Sequence, residues 1–192
     1  FLKTAINPDV LRIVRKLMAD YVVLYQQNAN IHIPHTPHTT GPWHRDLTFL
    51  HFTSSRPIWM TAQLIIDDYT EENGGISFLP AGHREESFPS NDYLDENKTL
   101  LELKAGSIIV FDSMLWHSPG INRSQSPKRS INHFYTLQLI RQEVSLPHLL
   151  NGKFSDDPEL RRLLGYEIMQ TRSVKEWRLE KYQNKRKSLS AF

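Results

Sequence analysis

Trp43-His44-Arg45-Asp46 sets a histidine and a carboxylate two residues apart, and His117 follows Asp46 by 71 residues. In extended backbone, side chains two residues apart point to the same face, so His44 and Asp46 can reach one point. Two histidines and one carboxylate form a facial donor set for non-heme Fe(II), leaving positions open for a co-substrate and O2. Arg129 lies 12 residues beyond His117, and its planar guanidinium suits a carboxylate better than a point charge does. The chemistry implied is metal-centred oxidation.

Several elements must position these groups. Asn7 reads as an N-cap with Pro8 at the first helical position. Val10, Val14, Leu17 and Tyr21 recur at helical spacing, predicting a helix over about 8–20. Residues 21–27 are β-rich. Residues 30–42, with three prolines and a glycine, read as a loop feeding the His44 motif. Strands are expected at 48–53, 58–66 and 76–79, with a polar turn at 67–73 closed by Gly74-Gly75. Residues 80–98 read as a polar loop that could act as a lid. Strands at 100–103 and 107–111 are expected to meet through a tight turn at Lys104-Ala105-Gly106, and 131–142 reads as a long strand that begins just after Arg129. His117 sits in a stretch that reads as a strand end.

Beyond 150 the character changes. Asp157-Pro158-Glu159 is a good helix start, with Leu160, Leu163, Leu164, Ile168 and Met169 as the apolar face and Gly165 as a break. Residues 173–187 read as a second, highly charged helix. An all-β centre (about 21–142) flanked by helices predicts a sandwich or barrel, with a jelly roll fitting best.

The chain has 192 residues, a net charge of +2, 39% hydrophobic and 23% charged residues and no cysteine. That suits one domain with a sizeable core, and gives no footprint of disorder or nucleic-acid binding. Thiolate metal sites, disulfides and a cysteine nucleophile are excluded. No apolar run approaches a membrane span, and no secretory signal appears at the start, so a soluble cytoplasmic domain is expected. The chain opens on Phe1, as a trimmed or partial chain would.

In order, the chain contains Trp43-His44-Arg45-Asp46; Trp59 with Ile65-Ile66-Asp67-Asp68; Glu72-Asn73-Gly74-Gly75; Phe78-Leu79-Pro80-Ala81-Gly82-His83; Gly106-Ser107-Ile108-Ile109-Val110-Phe111-Asp112; and His117-Ser118-Pro119-Gly120-Ile121-Asn122, then Arg129. Over roughly residues 20–140 this resembles the phytanoyl-CoA dioxygenase family of Fe(II)/2-oxoglutarate-dependent oxygenases. The resemblance implies a double-stranded β-helix, mainly β and cupin-like, with Fe(II), 2-oxoglutarate and O2 as cofactor and co-substrates. It implies His44, Asp46 and His117 as metal ligands and catalytic centre. Arg129 would hold the far carboxylate of 2-oxoglutarate; its spacing fits the family better than that of Arg123 or Lys128. Thr61, Gln63 and Gln27 are candidates to assist it.

The expected reaction is hydroxylation, or another oxidation such as desaturation or ring closure, of an unactivated C–H bond in a small molecule, releasing succinate and CO2. Related halogenases replace the carboxylate with glycine or alanine, so Asp46 favours oxidation over halogenation. Arg45, Trp59, Trp116, His133 and Tyr135, with Phe52, are candidates to line the substrate pocket. Arg45 stands where the family often has glutamine, which suggests an anionic substrate. Only 22 residues separate His83 from Gly106. That is either a short lid, suited to a bulky or carrier-bound substrate, or a lid partly outside this numbering.

Other features read more plainly. His32, His35 and His38 are expected to be loop histidines, His83 and Asp112 structural residues, and Asp67-Asp68 with Glu71-Glu72 a solvated turn. The basic tail (Lys181, Lys185, Arg186, Lys187) reads as a solvated helix face, without the interleaved aromatics of a nucleic-acid surface. Two alternatives stand beside the oxygenase: a cupin-like metal enzyme that does not use 2-oxoglutarate, and a catalytically silent β-sandwich binding module.

Overall fold

The computed structural model describes residues 1–36, 43–47 and 53–189. The strand expected at 48–53 lies, but for Thr53, outside the described residues, as do His38 and Phe52. The Asn7 side chain accepts the backbone N–H groups of Asp9 and Val10 at 3.0 and 3.2 Å. It caps α2 (Pro8–Leu17), which follows a one-turn α1 (Leu2–Ala5) that the sequence did not signal. The strands are β1 (Val22–His32), β2 (Trp59–Ile65), β3 (Ile76–Phe78), β4 (Thr99–Leu101), β5 (Ile108–Asp112), β6 (His117–Ser118) and β7 (Lys128–Leu137). Between β3 and β4 stand a 3-10 turn (Gly82–Arg84) and α3 (Asn91–Asn97), so the expected lid loop is partly helical. After β7 come α4 (Leu146–Leu150), α5 (Pro158–Leu163), a 3-10 turn (Tyr166–Ile168) and α6 (Val174–Leu189).

The strands form two antiparallel sheets, ordered β1-β7-β2-β5 and β4-β3-β6. Together they make the expected jelly roll with flanking helices. The turn at residues 104–106 is not a hairpin. β4 pairs with β3 and β5 with β2, so this turn carries the chain from one sheet to the other, with Gly106 at φ +88°. β1 also runs five residues further than expected, to His32, because its polar end pairs residue by residue with β7.

Residues opposite one another in a ladder share a face. Thr61 pairs with Phe134 and Gln63 with Asn132. The face turned toward the smaller sheet therefore carries Trp59, Thr61, Gln63 and Ile65 from β2, and Lys128, Ser130, Asn132 and Phe134 from β7. The other face carries Met60 and Ala62, and Arg129, Ile131, His133 and Tyr135. Val22, Leu24, Met60, Ala62 and Tyr135 on this outer face pack under Val10, Leu11 and Val14 of α2 and Leu160 and Leu163 of α5. Each fully buried aliphatic side chain contributes about 1.5–3 kcal/mol. Between the sheets Ile65, Tyr69, Ile76, Phe78 and Phe111 form one inner cluster, and Leu47, Trp59, Met114 and Phe134 another.

Candidate metal centre and anion pocket

His44 and His117 form an isolated antiparallel bridge. His44 N–H donates to the His117 carbonyl at 2.9 Å, and His117 N–H donates to the His44 carbonyl at 3.0 Å. Asp46 N–H then donates to the Ser113 carbonyl at 3.0 Å, just past β5. The ligand segment is thus tied to both sheets. Asp46 Oδ1 stands 3.6 Å from His117 Nε2 and 4.0 Å from His44 Nε2. One donor atom from each of the three lies within 4.8 Å of the others. Ligands about 2.1 Å from a divalent ion and at right angles lie about 3.0 Å apart, so closing on a metal needs the donor separations to shrink by no more than about 1.8 Å.

The donors are also in suitable chemical states. His117 Nδ1 is 2.9 Å from the Leu115 carbonyl, which fixes the proton there and leaves Nε2 to face Asp46. The His117 ring is flanked by Phe78 and Phe111, at 5.8 and 5.1 Å between centroids. Asp46 is almost wholly buried; burial pushes its carboxyl up, opposed by the Thr61 hydrogen bond and by His44. A divalent cation would offset that desolvation, so the donor set fits Fe(II).

A second polar group lies on the same inner face. Lys128 is buried, its Nζ donates to the Gly75 carbonyl at 2.6 Å and sits 4.5 Å above the Tyr69 ring. Burial holds it down to about 8. Among the described residues no carboxylate pairs with it. Gln63 donates to Ser130 Oγ at 2.9 Å and to the Tyr69 hydroxyl at 3.2 Å, while Gln63 Oε1 and Asn132 Oδ1 are buried without partners. Gly75 precedes by three residues Phe78, which pairs with His117, a distance of about 10 Å along the strand.

Several expected site residues are elsewhere. Arg129 points outward, more than half exposed, and grips Asp67 through two side-chain bonds of 2.8 Å. Strand alternation sends it to the face opposite Lys128. Gln27, His133 and Tyr135 share that outer face. Gln27 bonds the His133 ring and the Phe1 carbonyl, and Tyr135 donates to the Ala5 carbonyl at 2.8 Å; burial lowers His133 to about 4.

Arg45 points away from its two neighbours. It donates to the carbonyls of Gly82 and Glu85 and lies 4.2 Å over the Trp116 ring. Trp116 packs with Leu79 and Leu94 under α3, and Trp59 packs against Tyr25 and Phe134. Both tryptophans are buried within these clusters. Thr61 bonds Asp46 itself. Of the assisting residues expected for the co-substrate, only Gln63 lies beside a cation on the inner face. His32 is buried at the end of β1, opposite Lys128, rather than in a loop. Asp67 and Asp68 are ion-paired, not merely solvated.

A jelly roll thus gathers two histidines and an aspartate at one point that could hold a metal ion, with a buried cation on the same inner face. The profile of the phytanoyl-CoA dioxygenase (PhyH) family matches residues 1–130, and the chain belongs to that family. It is 31% identical over 143 residues to the uncharacterized protein Rv1501 of Mycobacterium tuberculosis, covering 71% of this chain and 51% of the relative. It is 27% identical over 177 residues to dioxygenase af480 of Aspergillus fumigatus, covering 83% and 52%. Among solved structures, the non-heme monooxygenase ThoJ superposes with a TM-score of 0.59 at 17% identity, covering 72% of this chain and 55% of ThoJ. The chain spans about half the length of the curated relatives it matches.

Proposed function

We propose that this protein is an Fe(II)/2-oxoglutarate-dependent oxygenase that hydroxylates an unactivated C–H bond of a small molecule. The observation that carries the reading is the presence, inside one barrel, of a facial donor triad and a buried lysine with no carboxylate partner among the described residues. A buried cation is costly unless an anion joins it. The far carboxylate of a short 2-oxo dicarboxylic acid supplies that anion.

His44 and His117 through Nε2, and Asp46 through Oδ1, hold the metal. Lys128 and the Ser130 hydroxyl receive the far carboxylate, in place of the Arg129 expected from spacing. Gln63 and Tyr69 orient Ser130. Phe78 and Phe111 keep water from His117, and the Leu115 carbonyl keeps its proton on Nδ1. Bound Fe(II) with 2-oxoglutarate supplies O2 activation coupled to oxidative decarboxylation, yielding succinate, CO2 and an oxidised C–H bond. Asp46 fills the coordination position that a halide would need, which supports oxygenation over halogenation.

Arg45 is held by the Gly82 and Glu85 carbonyls, so the substrate proposed is a small molecule with no required negative charge. No described helix is long and apolar enough to cross a membrane, and the proposed setting is the cytoplasm.

Anaerobic titration of Fe(II)-loaded protein with 2-oxoglutarate tests the reading. A weak visible charge-transfer band that saturates supports it. Iron binding without the band refutes 2-oxoglutarate use, and failure to bind iron refutes the metal centre.

A further inference from the structure

Asp46 has two carboxylate oxygens, and the structure gives them different partners. Oδ1 faces the two histidine Nε2 atoms. Oδ2 accepts the Thr61 hydroxyl at 2.6 Å, and Thr61 Oγ1 lies 2.7 Å from Ser113 Oγ. Thr61 and Ser113 are both fully buried. An ionised carboxylate only accepts hydrogen bonds, so the single Thr61 proton goes to Asp46, and Ser113 must donate to Thr61. Ser113 therefore fixes Asp46 twice, through its carbonyl on the Asp46 N–H and through its hydroxyl by way of Thr61. Its own N–H donates to the Trp59 carbonyl at 3.2 Å, which locks the chain to the start of β2.

We infer that Thr61 is a positioning residue: together with Ser113 it commits one oxygen of Asp46 and leaves only the other for the metal. The inference rests on the metal-centre reading above. Its consequence is coordinative. A carboxylate free to rotate could offer both oxygens to a metal and so fill a position that a co-substrate or O2 needs. The Thr61 bond, short and donated by a fully buried hydroxyl, removes that option. β2 makes the arrangement rigid, because Thr61 sits mid-strand between β5 and β7, opposite Phe111 and Phe134.

The test uses Co(II) as the probe, with affinity and visible absorption as readouts. Thr61→Val keeps the shape and loses the donor; Thr61→Ser keeps the donor and loses a methyl group. Ser113→Ala removes only the second link. The expected result is a Co(II) Kd raised about 10–100-fold in Thr61→Val, with a displaced absorption band reporting a changed ligand set. Thr61→Ser should restore the wild-type spectrum, and Ser113→Ala should fall between. A Thr61→Val protein with wild-type affinity and spectrum overturns the inference while leaving the metal centre standing. So does a Thr61→Ser protein as impaired as Thr61→Val, since packing would then be the cause. If Thr61→Val does not fold, Thr61→Ser and Ser113→Ala decide: a shifted spectrum in Ser113→Ala with a normal one in Thr61→Ser supports the relay, and two unshifted spectra overturn it. Absence of Co(II) binding by the wild-type chain overturns the metal centre and the inference together.

Discussion

Gly120 donates its N–H to the Gly74 carbonyl at 3.0 Å, and the two backbones touch. A Cβ on Gly120 would lie 2.2 Å from the Gly74 oxygen, and one on Gly74 would lie 2.3 Å from the Gly120 carbonyl carbon. The Gly-Gly that closes the polar turn and the Ser-Pro-Gly that follows His117 are two halves of one contact. Gly120→Ala should cost about 1–3 kcal/mol through overpacking and weaken metal binding, because His117 lies three residues upstream. Gly74→Ala adds the strain of φ +84°, about 1–2 kcal/mol more. Urea midpoints check both, and an unchanged midpoint for Gly120→Ala would contradict the crossing.

Lys128 and Arg129 make opposite predictions. Replacing a charge-assisted contact costs about 1.5–3 kcal/mol, so Lys128→Met should raise the KM for 2-oxoglutarate about 10–100-fold. Arg129→Ala should leave that KM within about twofold, and should cost under about 1 kcal/mol of stability as an exposed ion pair. Steady-state kinetics on the two variants separates them. The reverse pattern would restore Arg129 to the role its spacing suggests.

The pH dependence follows from the same lysine. Burial holds Lys128 down to about 8, so its cationic form dominates below pH 8 and is lost as pH rises through it. It faces the Tyr69 ring and, across the ladder, His32 of β1; burial raises the Tyr69 hydroxyl, which keeps it neutral in this range. The KM for 2-oxoglutarate should rise about tenfold from pH 7 to pH 9. Lys128→Arg should flatten that rise. For stability the sign is opposite: between about 8 and the ordinary lysine value the unfolded chain binds more protons, so stability from this group grows with pH.

Arg45→Gln should lose the stacking on Trp116 and the grip on the 82–85 turn together. The expected cost is about 1–3 kcal/mol, from buried carbonyls left without a donor. Thermal unfolding checks it, and a KM effect confined to anionic substrates would instead return Arg45 to the pocket.

The triad was legible because His44 and Asp46 need only strand alternation to converge, and because the remaining motifs fixed their order. The cation was not legible. β7 is covered on both faces, so Phe134 and Tyr135 are both buried and the alternation that would reveal which of Lys128 and Arg129 points inward is erased. The parity comes from pairing with β2, which sequence alone does not supply. Ser130, two residues beyond Lys128, was the available signal: it marks a polar inner row. Asn28 and Asn30 resemble loop residues, yet the ladder to β7 holds them in β1. The short helices α1 and α4 lack the apolar period that length gives, and α3 is announced only by its Ser90 cap, whose hydroxyl accepts the Tyr93 N–H.

The backbone of the His44 segment is bonded to β6 in the smaller sheet on one side and to the end of β5 in the larger sheet on the other. An ion held there would act as a rivet through a seam, joining two layers along the line where their side chains pack. Its binding free energy then adds to that of folding, by RT ln(1 + [metal]/Kd), about 2.7 kcal/mol at a hundredfold excess over Kd. Metal loss should loosen the seam before it loosens either sheet, so protease cutting near residues 43–47 would report on the centre with no substrate in hand.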